Sequence, residues 1–191
     1  GRNMPNSTKG ALGASLKKLL LHKTLDKITI QDLTSDCGIS RMSFYYHFKD
    51  IYDLVEWVCI EDGKQALQGK KTYDTWQEGM RQVFEAILES KPFILNVYRC
   101  IRKEKIENYL YKLTYGLIAD VVGEKCVGTD VEEEDRAFIA EFYKYGFVGI
   151  ILDWIDRGMK DDYKEIVLKT GIALYGNIEN SIRNFEQVSK Q

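Results

Sequence analysis

Between Thr29 and Phe48 the sequence TIQDLTSDCGISRMSFYYHF leaves room for two short helices, a reversal and little else. Thr29 has the hydroxyl that closes a helix N-terminus, and Asp32, three positions on, can return a bond to the Thr29 backbone, the shorter Asp replacing the usual Glu. Ile30 and Leu33 supply the apolar positions. Gly38 can enter the left-handed region at almost no steric cost, and Ser40 can cap a new helix immediately. The spacing predicts a helix, a glycine turn and a second helix.

That second helix carries five rings in a row, Phe44, Tyr45, Tyr46, His47 and Phe48. At about 100° per residue they point around most of its circumference, so they cannot share one core face. Ile39, Phe44 and Phe48 fall on one side and can pack against Leu33 and against Leu12, Leu16, Leu19 and Leu20 of a first helix, capped by Ser7 and Thr8 and ending near His22. Arg41, Met42, Tyr45 and Tyr46 are linked by i+3 and i+4 spacings and share the opposite face. Two short helices around a glycine turn, braced by a first helix, make the helix-turn-helix arrangement, whose second helix enters the DNA major groove. The outward residue types suit that task. Arg bonds guanine or phosphate, Ser and Tyr hydroxyls donate to phosphate, and Met touches a thymine methyl.

Further helices are expected at 50–68 (with Ile51, Leu54, Val55 and Val58 on one face), 75–90, 93–102, 104–126, 133–157 and 162–187. The fold class is all-α, with about nine helices. Gly69-Lys70-Lys71 reads as a boundary or hinge. Pro92 suits a helix start, and the acidic groups Asp130 with Glu132 to Asp135 and Asp161-Asp162 suit the positive ends of helices rather than a metal or substrate site. Gly146, Gly149, Gly171 and Gly176 fall inside the last two expected helices, each costing up to about 1 kcal/mol of helix propensity. Close helix contact at a dimer interface would compensate; relief of crowding around Phe142, Tyr145 and Trp154 is the alternative.

With 191 residues, 45% of them hydrophobic, the chain can bury a real core. The net charge of −2 conceals an asymmetry: residues 1–50 carry +4 and the remainder −6, which fits a polyanion partner for the first 50 residues. The longest apolar run, Phe147 to Leu152, is far too short to span a bilayer, and no export signal is seen, so a cytoplasmic protein without membrane partners is expected. Gly1 to Asn3, ahead of Met4, are set aside from fold reasoning. Cys37, Cys59, Cys100 and Cys126 are widely spaced and the only histidines are His22 and His47, a pattern that supports no zinc site. The cysteines read as small buried hydrophobes. No phosphate-binding glycine loop and no nucleophile beside a histidine is present, so neither catalytic residues nor cofactors are expected.

Thr29 to Val55, TIQDLTSDCGISRMSFYYHFKDIYDLV, resembles the DNA-binding signature of the TetR family of bacterial transcription regulators: a Thr-capped helix, a Gly-Ile-Ser turn and an aromatic-Tyr-His-Phe ending. The resemblance covers about the first 55 residues. It implies a motif at 29–48 inside a DNA-binding domain at 1–50, followed by a helical regulatory and dimerisation domain at 51–191. Thr29, Ser40, Tyr45, Tyr46 and His47 would contact phosphates, and Arg41, Met42 and Ser43 would face base edges. Two positions depart from the family pattern. Met42 stands where a small residue, often Gly, is usual, and Ile51 where a phosphate-binding Lys is usual, a contact Lys49 can replace. The family dimerises through its last two helices as a four-helix bundle and binds palindromic operators in double-stranded DNA.

Most family members bind a small effector in the C-terminal half, where the rings at 98, 109, 111, 115, 142, 143 and 145 could line a pocket, core being the other role open to them. FYYHFKDIYDLVEWV and YKYGFVGIILDWIDRGMKDD are similar to the subgroup that includes the activator of dihydroxyacetone kinase operons. That similarity implies a kinase-like co-activator protein as a partner in place of a small-molecule effector.

Overall fold

The computed structural model describes residues 7–66 and 76–191. They form ten α-helices and a single 3-10 turn, with no strand among the described residues. By packing they divide into two units: the chain up to Asp62 with Ser90–Ile106, and Gly63–Glu89 with Glu107–Gln191. The Gly69-Lys70-Lys71 boundary and Gly1 to Asn3 lie outside the described residues.

In the first unit, α1 (Thr8–Leu19) begins as expected, with the Ser7 hydroxyl oxygen accepting the Gly10 N–H at 3.0 Å. A 3-10 turn, Leu25–Lys27, follows and buries Leu25. Helices α2 (Ile30–Cys37) and α3 (Arg41–His47) sit on either side of Gly38, whose φ of +66° takes the chain through the left-handed region. The Ile39 N–H then closes the turn on the Thr34 carbonyl at 3.0 Å. Helix α4 (Ile51–Ala66) starts where the Asp50 carboxylate accepts the Asp53 N–H at 2.8 Å. Leu12, Leu16, Leu33, Phe44, Leu54 and Val55 have no exposed surface, so α1 to α4 share one core.

Helix α6 (Lys91–Cys100), with Pro92 in its first turn, belongs to this unit although α5 and most of α7 belong to the other. It buries Phe93 and Val97, and Asn96 bonds the segment between α1 and α2.

The second unit holds α5 (Trp76–Glu89), most of α7 (Lys103–Lys125), α8 (Glu133–Asp156), α9 (Tyr163–Ala173) and α10 (Asn177–Ser189). Helix α5 packs on α9 and α8 on α10. Trp154 is fully buried, meets the Phe84 ring edge-on at 4.9 Å and donates its indole N–H to the Asp161 carbonyl at 3.0 Å. Glu133, Glu134 and Asp135 occupy the first turn of α8, and the Asp162 carboxylate caps α9 by accepting the Lys164 N–H at 2.9 Å. The helix expected at 162–187 is two helices. Gly176 adopts φ +73° between them, a turn rather than a helix interior, which accounts for ten helices where nine were expected.

Candidate nucleic-acid interface

The candidate interface is built by caps that hold α2 and α3 at a fixed angle. Thr29 Oγ1 accepts the Asp32 N–H at 3.1 Å while Asp32 Oδ2 accepts the Thr29 N–H at 3.0 Å, a reciprocal pair that satisfies two otherwise orphaned donors. The Thr29 N–H and then the Lys23 ammonium hold the Asp32 carboxyl below the usual carboxylate range. Ser40 Oγ accepts the Ser43 N–H at 3.1 Å and starts α3. In both caps the oxygen is used as an acceptor, so each hydroxyl hydrogen remains available for a phosphate oxygen.

Rotation of α3 about its axis is set by two rings on its inner side. Phe44 is fully buried and Phe48 nearly so, the latter edge-on to Trp57 at 5.9 Å. The outer side follows as a consequence. Met42 is 83% exposed, Tyr46 85%, and Arg41 and Tyr45 are also exposed. Ser43 and His47 are half-buried at the edges of that face, and His47 meets the Tyr46 ring edge-on at 5.0 Å. Thr29, Ser40 and Lys49 are exposed near the ends of α2 and α3. Ile51 is half-buried, and the Lys49 backbone N–H is held by the Asp53 carboxylate at 2.9 Å, leaving its ammonium free to reach outward.

The positive balance of residues 1–50 is not spread evenly. Lys18 pairs with Asp36 at 2.7 Å, Lys23 with Asp32 at 3.3 Å and Lys17 with Asp62 at 2.6 Å. Lys9 lies over the Phe48 and Trp57 rings, 5.5 and 6.0 Å from their centroids. Arg41, the first residue of α3, and Lys49, just beyond its end, take part in no described ion pair.

Asn96 is the positioning residue that sequence reasoning missed. Its side-chain oxygen accepts the Leu25 N–H at 3.1 Å, and its amide nitrogen donates to the Lys23 and Leu20 carbonyls at 3.1 and 3.4 Å. No local pattern signals a contact across more than seventy positions.

In the second unit the rings expected to line a pocket take other places. Tyr109 is buried, Phe142 and Tyr145 are exposed, Tyr143 bonds Ser181, and Tyr111, Tyr115 and Tyr145 surround the Lys144 ammonium at 5.0 to 5.6 Å. Two apolar hollows are described there instead: an open one of about 580 Å³ beside α5 and α9, lined by Gln77, Val167, Leu168, Ile172 and their neighbours, and one of about 30 Å³ lined by Trp76, Met80, Leu117, Val121, Phe147 and their neighbours. The smaller one has room for no more than a few water molecules. Gly146 and Gly149 stand on α8 with no described residue within 4 Å of where a Cβ would lie, so the described residues do not crowd them; Gly171 faces Gln77 at ordinary contact distance. Among the described residues no cluster of His, Cys, Asp and Glu is arranged for a metal ion, and no described helix is long and apolar enough to cross a membrane.

Residues 74–176, just over half of the chain, match the family model TetR_C_8, the transcriptional regulator C-terminal region. The chain belongs to the TetR family of transcriptional regulators. This TetR-family chain is 20% identical over 171 residues to the HTH-type dhaKLM operon transcriptional activator DhaS of Lactococcus lactis, across 86% of its own length and 90% of that relative's. It is 27% identical over 110 residues to the uncharacterized HTH-type transcriptional regulator YerO of Bacillus subtilis, 51% of this chain and 38% of the other. Among solved structures, the dihydroxyacetone kinase operon activator DhaS superposes with a TM-score of 0.65 at 17% identity, over 94% of this chain and 98% of its own. The TetR family repressor AlkX of Dietzia sp. strain DQ12-45-1b does so with a TM-score of 0.54 at 11% identity, over 93% and 98%. The TetR-family fold is thereby shown on the structure as well as on the sequence.

Proposed function

We propose that this TetR-type regulator binds a palindromic operator in double-stranded DNA as a homodimer. The head within residues 1–50 makes the contacts and residues 51–191 carry dimerisation and control. The observation that supports this most is the outer face of α3, where Arg41, Met42, Tyr45 and Tyr46 stand exposed while Phe44 and Phe48 anchor the inner face. Arg41, Met42 and Ser43 meet base edges. Thr29, Ser40, Tyr45, Tyr46, His47 and Lys49 meet phosphates. Two copies place their α3 helices about 34 to 36 Å apart, one turn of the duplex. Exposed Phe138, Phe142 and Tyr145 on α8, with Gly146 and Gly149 beside them and no described residue of the same chain over either glycine, support α8 as part of the dimer interface.

The regulatory reading is activation of a dihydroxyacetone kinase operon together with a kinase-like co-activator protein, in the cytoplasm. The relative named as an activator of the dhaKLM operon, alignable over most of both chains, supports it. A small-molecule-responsive repressor is the second reading, favoured by the open apolar hollow of about 580 Å³ on the second unit.

The deciding experiment is selection of genomic DNA fragments by the purified full-length protein, followed by mobility shifts with Arg41→Ala and Tyr46→Ala. Loss of binding with unchanged circular dichroism supports the interface. Retained binding in both variants rules it out. A thermal-shift comparison of dihydroxyacetone alone with a co-purified kinase-like protein separates the two modes of control.

A further inference from the structure

Met42 is the second residue of α3 and is 83% exposed. An exposed methionine needs no explanation by itself. This one cannot turn inward, because the Ser40 cap fixes where α3 starts and Phe44 with Phe48 fixes how it is rotated. Met42 therefore shares its outward ridge with Tyr46, one turn later and 85% exposed.

The chemistry of that side chain restricts what it can read. A thioether donates no hydrogen bond and accepts only weakly, so it gains nothing from the acceptors of guanine, the donor of cytosine or the mixed edge of adenine. The one apolar feature a base pair presents in the major groove is the C5-methyl of thymine. Met is unbranched and polarizable, and it adapts to a methyl without exact complementarity. Arg41, the preceding residue, is the helix's guanidinium at the same end, suited to guanine O6 and N7.

The geometry points to Met42 as a specificity-determining residue that reads the C5-methyl of a thymine in each half-site, close to a guanine held by Arg41. This rests on α3 being the DNA-contacting helix and adds the base it reads.

The test uses the full-length protein and an operator obtained by selection. Each thymine of the half-site is replaced singly by deoxyuridine, which removes the methyl and leaves every hydrogen-bonding group in place. Binding is read by fluorescence anisotropy. One thymine per half-site is expected to lose about fourfold in affinity on losing its methyl, and on the order of tenfold when both half-sites are changed. Met42→Ala should bind the thymine and deoxyuridine operators alike, while Met42→Leu, which keeps an apolar tip, should retain the discrimination. Indifference of the wild-type protein to deoxyuridine at every position, or full discrimination by Met42→Ala, overturns the assignment to Met42. Selection that yields no enriched DNA at all sinks the DNA-binding reading itself, a failure distinct from these two.

Discussion

Asn96 accepts the Leu25 N–H at 3.1 Å from 71 positions away, and with its two further bonds it ties α6 to the segment that leads into α2. A part-buried backbone N–H deprived of its acceptor loses about 1 to 3 kcal/mol. Asn96→Leu should therefore lower the urea midpoint of the DNA-binding unit by a corresponding amount. Asn96→Asp, which keeps the acceptor and loses the amide donors, should fall between. Wild-type stability in Asn96→Leu would show that the three bonds contribute nothing net.

The two faces of α3 make opposite predictions. Arg41→Ala and Tyr46→Ala alter exposed side chains and should leave the unfolding midpoint within about 0.5 kcal/mol of wild type, while Arg41→Ala lowers operator affinity by about 1 to 3 kcal/mol if it holds a guanine. Phe44→Ala removes a fully buried ring and should destabilise by about 3 to 5 kcal/mol. Equilibrium unfolding and anisotropy titration on the same samples separate the two classes.

Among the described residues, Lys49 follows α3 with no described ion pair to break before it reaches a phosphate. Lys49→Ala should reduce the slope of log K against log salt by about one per copy, about two per dimer. An unchanged slope places Lys49 away from the phosphates.

The Thr29 and Asp32 cap gives a pH signature. The Asp32 carboxyl titrates below its ordinary 3.8, first because the Thr29 N–H bonds the charged form and then because Lys23 does. A lowered folded-state value means that the stabilisation is fully present above the unfolded-state value of 3.8 and is lost as pH falls through the lower folded-state value. The stability gap between wild type and Asp32→Ala should thus be constant near neutrality and close below pH 3.8. Thr29→Ala should destabilise by about 1 kcal/mol as a lost cap.

Gly149→Leu tests the dimer. No described residue stands within 4 Å of a Cβ at Gly149, so a leucine should leave the protomer folded while obstructing a partner helix. Sedimentation mass should move toward the monomer. A dimer of wild-type strength would assign the interface to another face.

The helix-turn-helix was legible because its signals are local. Thr29 and Asp32, Gly38, and Ser40 with Ser43 each act within three residues, so propensity and capping determine them without help from the rest of the chain. The inner and outer faces of α3 followed from helical period alone. What escaped the sequence depends on distant partners. The net charge of residues 1–50 says nothing of Lys18 finding Asp36, and nothing near Asn96 announces Leu25. Gly171 and Gly176 look alike in sequence, yet one lies within α9 and the other takes a left-handed turn that ends the run. The rings at 109, 142 and 145 show the limit of composition: one is core, two are surface, and aliphatic side chains with Trp76 and Phe147 line the smaller hollow.

The membership of α6 bears on how such regulators can be recombined. A chimera joined after α4 inherits a head whose Leu25 N–H and whose Leu20 and Lys23 carbonyls face a foreign surface, because the residue that answers them is encoded downstream, beyond α5. A portable head is therefore a discontinuous cassette. A graft that carries residues 90–106 along with the N-terminal segment should transplant operator preference, and one cut at a single point should arrive with its seam open.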